Sequence, residues 1–252
     1  MTIGEPPTDD GAPAVWETAS DALDPIHRAM RHVELLARQL TADVEAADAF
    51  IDRVSTIEPA DSTSMPAVGT PAANTSIGRA RLDRVVTAFE ETLGKARYPP
   101  SVSYDLNTEL YREFQTPIAD ALLSGTDAVY SPEFLATLVS DVSVQQHSRE
   151  ALHGELDIEF EELSTAGSRL ADIDTRLSEI AAQSSTPWDD VSALTDAIEA
   201  VAAERQAQLN GHGSEGGRTG HELCRAIYEP ESFTYPVLTT ITALQDRLED
   251  AV

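Results

Sequence analysis

Cysteine, lysine, aromatic residues and long apolar runs are all scarce in this chain of 252 residues, and each scarcity removes a class of explanation. Cys224 is the only cysteine, so neither an intramolecular disulfide nor a cysteine-based metal cage can form. Lys95 is the only lysine among 17 basic residues, which face 44 acidic ones. A net charge of -27 disfavours direct nucleic-acid binding, because that binding depends on cations displacing counterions from phosphates. No apolar stretch is long enough to span a bilayer, so no membrane association is expected. The first residues, MTIGEPPTDDGAPAVWETASD, offer neither a basic start nor an apolar stretch, and a reducing cytoplasm is the expected compartment. Strands are missing from the pattern as well: no Val, Ile or aromatic-rich run alternates with period two between turn signals.

What remains is helical periodicity, and the expected fold is all-α, an elongated antiparallel helical bundle with coiled-coil character. Residues 1–23 hold five acids, no base and prolines at 6, 7 and 13, which predicts a disordered acidic tail. From Ile26, the positions Met30, Val33, Ala37, Leu40, Val44, Ala47, Ile51 and Val54 follow a four-three alternation, so 24–57 reads as an N-terminal coiled-coil helix. Asp24 and Pro25 supply its start. Pro59, Pro66 and Pro71 among small polar residues predict a flexible linker over 58–76. The remainder, 77–252, reads as a helical bundle domain. Its helices are expected at 77–97, at 105–124 with a break at Pro117, from Ser131 to about 183, at 187–209, at 219–228 and at 236–250. The longest would be a rod of about 75 Å. Its seam runs through Leu135, Leu138, Val142, Leu152, Leu156, Leu163 and Leu170, but also through Gln145, Arg149 and Glu159. Polar side chains there would cost stability if fully buried.

Candidate chemistry is sparse. Gly211, Gly213 and Gly216 fit a phosphate-loop spacing, yet a helix rather than a strand precedes them, and a loop is the better reading. His221, Glu222 and Cys224 lack a second histidine one turn on, and neither His27 with His32 nor His147 with His153 shares a helix face, so no metal is expected. Cys224 reads as a small buried hydrophobe beside Leu223 and Ile227, and Glu159, Glu161 and Glu162 as a solvated acidic face. No catalytic residue and no cofactor are assigned. Tyr98, Tyr104, Tyr111 and Phe114, beside Pro99 and Pro100, form the one dense aromatic stretch; core packing around the helix junction is the favoured reading, and they are also the candidate interaction surface.

The segments RVVTAFEETLGKARYPPSVSYDLNTELYREFQTPIADAL and HELCRAIYEPESFTYPVLTTITALQDRL resemble a haloarchaeal helical family defined as a domain of unknown function. The acidic, Ala-, Thr- and Ser-rich composition is also similar to that of salt-in halophile proteins. The resemblance implies a halophilic archaeal source and a coiled-coil helical fold, and it brings no catalytic residues. The expected function is a non-enzymatic protein–protein interaction or scaffold protein that binds a protein partner through helical seams, with a homo-oligomer possible. A regulatory or sensor accessory acting through a partner, and a ligand- or metal-binding bundle, are the alternatives.

Overall fold

The computed structural model describes residues 21–58, 71–98, 102–125, 130–182, 188–211 and 218–251. Among them every regular element is helical and no strand occurs, so the chain is all-α. The helices are α1 (Asp24–Ser55), α2 (Pro71–Phe89), α3 (Lys95–Arg97), α4 (Leu106–Glu113), α5 (Thr116–Ser124), α6 (Pro132–Ala181), α7 (Trp188–Gly211), α8 (Gly220–Ile227) and α9 (Pro236–Asp250). A π-helical turn, Glu90–Gly94, joins α2 to α3.

The chain divides into two compact units, one of residues 1–34 and 157–252 and the other of residues 35–156. The sequence reading instead placed 77–252 in one bundle with 24–57 outside it. Burial along α1 explains the difference. Ile26, Ala29 and Val33 are buried near its start and Ala46, Ala47, Phe50 and Val54 near its end, while no residue between Val33 and Ala46 is fully buried. The apolar stripe therefore serves two cores rather than one continuous seam, and its second half turns on Phe50 instead of the expected Ile51.

In the unit of residues 1–34 and 157–252, α6 supplies Leu163, Leu170 and Leu177, α7 supplies Leu194, Ile198 and Val201, and α9 supplies Val237, Ile241 and Leu244, all buried. Helix α7 contacts both α8 and α9. A Thr219–Glu222 capping box starts α8, the two side chains each bonding the other's backbone amide. Asp21–Leu23, expected in the tail, forms a 3₁₀ turn whose Ala22 and Leu23 are buried and which packs on α9; two apolar residues ahead of α1 are enough to order it. The rest of the expected tail lies outside the described residues. Thr240 in α9 is fully buried and its hydroxyl has no hydrogen-bond partner. Thr240→Val removes that unpaired group at nearly constant shape and is expected to raise stability by about 1 kcal/mol, read by denaturant unfolding; a loss would mean that the hydroxyl is bonded.

In the unit of residues 35–156, the rings of Phe50, Phe89 and Phe114 meet at centroid distances of 5.8 to 6.2 Å at the centre of the core. Tyr130, fully buried, donates its hydroxyl to the Val54 carbonyl at 3.2 Å. Helix α2 starts at Pro71, so 71–76 of the expected linker is helical: Pro71 is pre-set for a first helical turn and two alanines follow. The remainder of that linker, 59–70, lies outside the described residues. Pro117 splits the expected 105–124 helix into α4 and α5, with Asp105 capping the first through the Asn107 amide and left-handed Gly125 (φ 59°) closing the second.

Candidate interaction surface and buried ion-pair clusters

The four aromatic residues singled out from the sequence separate in the structure. Phe114 is 4% exposed and belongs to the core, a correction to its place in the candidate surface; it continues the stripe of Leu106, Leu110, Ile118 and Leu122. Tyr98 and Tyr104 are half-buried and stack at 4.8 Å with their planes 9° apart. Gly94 makes the room: a β-carbon there would stand 2.6 Å from the Tyr104 hydroxyl oxygen. Burial and the nearby Glu90 and Glu109 carboxylates push the Tyr104 phenol up. Only Tyr111 of the four is open to solvent, with its hydroxyl donated to Asp120.

Behind Tyr98 lies a charged cluster of which the sequence singled out only Arg149. Glu113, 1% exposed, receives both Arg149 terminal nitrogens, at 3.1 and 2.7 Å, and Arg97 Nη2 at 2.7 Å. Asp43 of α1 stands 3.6 Å from Arg97 and 4.0 Å from Arg149. Buried Glu109 accepts from the Tyr98 hydroxyl at 2.8 Å and pairs with Arg112. Burial works to raise the Glu113 carboxyl, but the hydrogen bonds and charges of Arg149 and Arg97 win and hold it below the usual carboxylate range. The polar seam position Arg149 thus pairs with Glu113 through both terminal nitrogens.

The other unit repeats the arrangement. Arg205 of α7 is 1% exposed and donates Nη2 to both Glu159 oxygens at 2.8 Å and Nη1 to Glu162 at 2.7 Å. Tyr228 completes Glu159 with a hydroxyl hydrogen bond of 2.9 Å. Cys224 Sγ lies 3.5 Å from Arg205 and 4.0 Å from Glu159. Glu159, read from the sequence as part of a solvated acidic face, is instead buried, because Arg205 supplies the charge that lets it leave water. Glu162 joins the same pair through Arg205 Nη1.

This chemistry holds groups in place and does not activate them. Burial, and then the Glu159 charge, push the Cys224 thiol up to about 12, where no nucleophilic thiolate forms at neutral pH. The same two causes raise the Tyr228 phenol. The folded protein is therefore expected to react with a thiol reagent such as DTNB at least about 100-fold more slowly than the denatured chain; stoichiometric labelling without unfolding would contradict the assignment. Among the described residues no group of three His, Cys, Asp or Glu side chains is arranged to hold a metal. His221 contacts the Tyr235 hydroxyl at 3.1 Å, and of the expected glycine loop all but Gly211 lies outside the described residues.

The surface carries a different feature. Along the first three turns of α6, beside the end of α1, runs an open groove of about 630 Å³ lined by Ser55, Pro132, Leu135, Ala136, Val139, Ser140 and Ser143, with no charged side chain. Val144 and Leu35 in the same unit are 61% and 65% exposed.

A family model described as "Domain of unknown function (DUF7260)" matches residues 24–252. No curated protein and no solved structure matches the chain. No helix among the described residues is long and apolar enough to cross a membrane.

Proposed function

The chain belongs to the family of the domain of unknown function DUF7260, and from that premise we propose that it is a non-enzymatic interaction or scaffold protein of the halophilic archaeal cytoplasm, engaging a protein partner through a helical surface. One observation carries the reading. In each unit a buried guanidinium–carboxylate cluster pairs charge with charge, whereas an uncharged helical groove stays open in a chain of net charge -27. A surface that carries so much charge elsewhere has no solvation reason to leave a multi-turn strip bare. The alternative in which α1 docks and releases as an arm gains nothing from its burial: Ile26 and Phe50 are both 0% exposed, so release would open two cores.

The test is affinity capture at molar salt with the whole chain, comparing it with groove-face substitutions at exposed positions rather than with a deletion of α1. A helical partner protein recovered in stoichiometric amount supports the reading; recovery of a small molecule or metal with the purified chain, and of no protein, would count against it. The halophilic setting has its own check. Self-repulsion among 44 acids against 17 bases weakens as the Debye length shrinks to about 3 Å at 1 M salt. Thermal melts are expected to rise steadily with KCl up to molar concentration, and a melting point flat over that range would remove the halophilic part.

A further inference from the structure

We propose that the groove between the end of α1 and the first turns of α6 is the docking site for one amphipathic helix of a partner protein, with an apolar stripe of small and aliphatic residues flanked by Lys or Arg. The inference rests on the interaction reading above and names the partner's chemistry.

Shape comes first. The groove follows α6 from Pro132 to Ser143, about 17 Å or three helical turns. Its floor alternates Leu135 and Val139 with the small Ala136, Ser140 and Ser143, the relief into which the ridge of another helix settles. An extended peptide finds no anchor, because α1 and α6 satisfy their own backbones and present no sheet edge.

Charge then selects the occupant. On the α1 wall, Asp48, Asp52 and Ser55 follow one another at helical spacing; Asp48 is bonded by Gln146 of α6, and exposed Asp52 lies between that contact and the groove lining. On the far side of α6, exposed Glu133 falls next to Ser140 around the helix, its carboxyl held below the usual range by the Ser131 hydroxyl. Arg53, the one basic residue of α1 near this end, is engaged with Glu91. An apolar floor between two acidic edges complements a helix with basic flanks. A second copy of this chain would bring the same acids and a further net charge of -27 against these edges, which disfavours self-pairing.

The experiment uses the full chain and two fluorescent helical peptides that share a Leu/Ala stripe and differ only in their flanks, Lys in one and Glu in the other. Anisotropy titrations at moderate and molar KCl are expected to show the Lys peptide binding at both, more tightly at lower salt. Ala136→Gln, at an exposed position that leaves the core intact, is expected to weaken binding at least about 10-fold at molar salt. Leu35→Gln, at a position that does not line the groove, is expected to leave binding unchanged. Binding of the Lys peptide that ignores Ala136→Gln would reduce the effect to a general acidic coat and overturn the proposal. Equal binding of the Glu peptide, or a homodimer in sedimentation that Ala136→Gln abolishes, would overturn it too. If a partner captured from lysate stays bound to the Ala136→Gln chain, the groove assignment falls while the interaction reading stands.

Discussion

Arg205→Met is expected to lower the unfolding free energy by about 3–5 kcal/mol, because it strips a buried carboxylate of its counter-charge. Glu159 is 3% exposed and would keep only the Tyr228 hydroxyl and the weak Cys224 contact. The complementary experiment separates the pair's desolvation cost from its attraction. In the double variant Arg205→Met with Glu159→Leu no unpaired charge is left, and most of the stability should return. A residue of about 1–3 kcal/mol would then fall on Tyr228, whose buried hydroxyl loses its acceptor; Tyr228→Phe added to the double variant should recover it. Denaturant unfolding at molar KCl, with hydrogen exchange resolved along α6 and α7, reads all three. A single substitution costing less than about 1 kcal/mol would show that water reaches Arg205.

Glu113→Gln produces a comparable loss with a pH signature of its own. The amide cannot carry the charge that Arg97 and Arg149 converge on, and about 3–5 kcal/mol is expected at neutral pH. Because the folded protein holds the Glu113 carboxyl below its ordinary value, the stability it contributes is complete above the unfolded carboxylate pKa of about 4.3 and disappears as pH falls through the lower folded value. The natural chain therefore loses stability across that acid window, and Glu113→Gln loses less of what it has left. Asp105, Glu133 and Glu222, whose carboxylates accept hydrogen bonds at helix starts, are shifted in the same direction, so the acid limb shrinks without vanishing. Urea unfolding at a series of pH values checks it: parallel acid limbs in the two proteins would take Glu113 out of the account.

The all-α architecture was legible because helical spacing repeats over tens of residues, and two element starts fall at a proline pre-set for a first helical turn, Pro132 behind the Ser131 cap and Pro236. The division into two units was not legible. A four-three stripe records that a face is buried and is silent on how many cores bury it, and α1 divides its stripe between two. The charged clusters were half-visible: Arg149 and Glu159 stood out as polar residues on an apolar seam, but their partners Glu113 and Arg205 lie 36 and 46 positions away and share no motif with them. The groove leaves a compositional trace, the uncharged run Phe134–Ser140, in which apolar and small residues occupy every side of the helix rather than one. A seam reading accounts for one face of that run and passes over the other.

The order in which the chain leaves the ribosome gives the two units different histories. Residues 35–156 are contiguous, so their aromatic core can close while the second half of α6 is still being made. The first residues of α1 must wait: Ile26 and Val33 belong with the unit that α7 to α9 complete, and Arg28 reaches its ion-pair partner Glu231 only across 203 positions. Truncation at the C-terminus would therefore be felt at the start of α1, and that unit should be the slower to form.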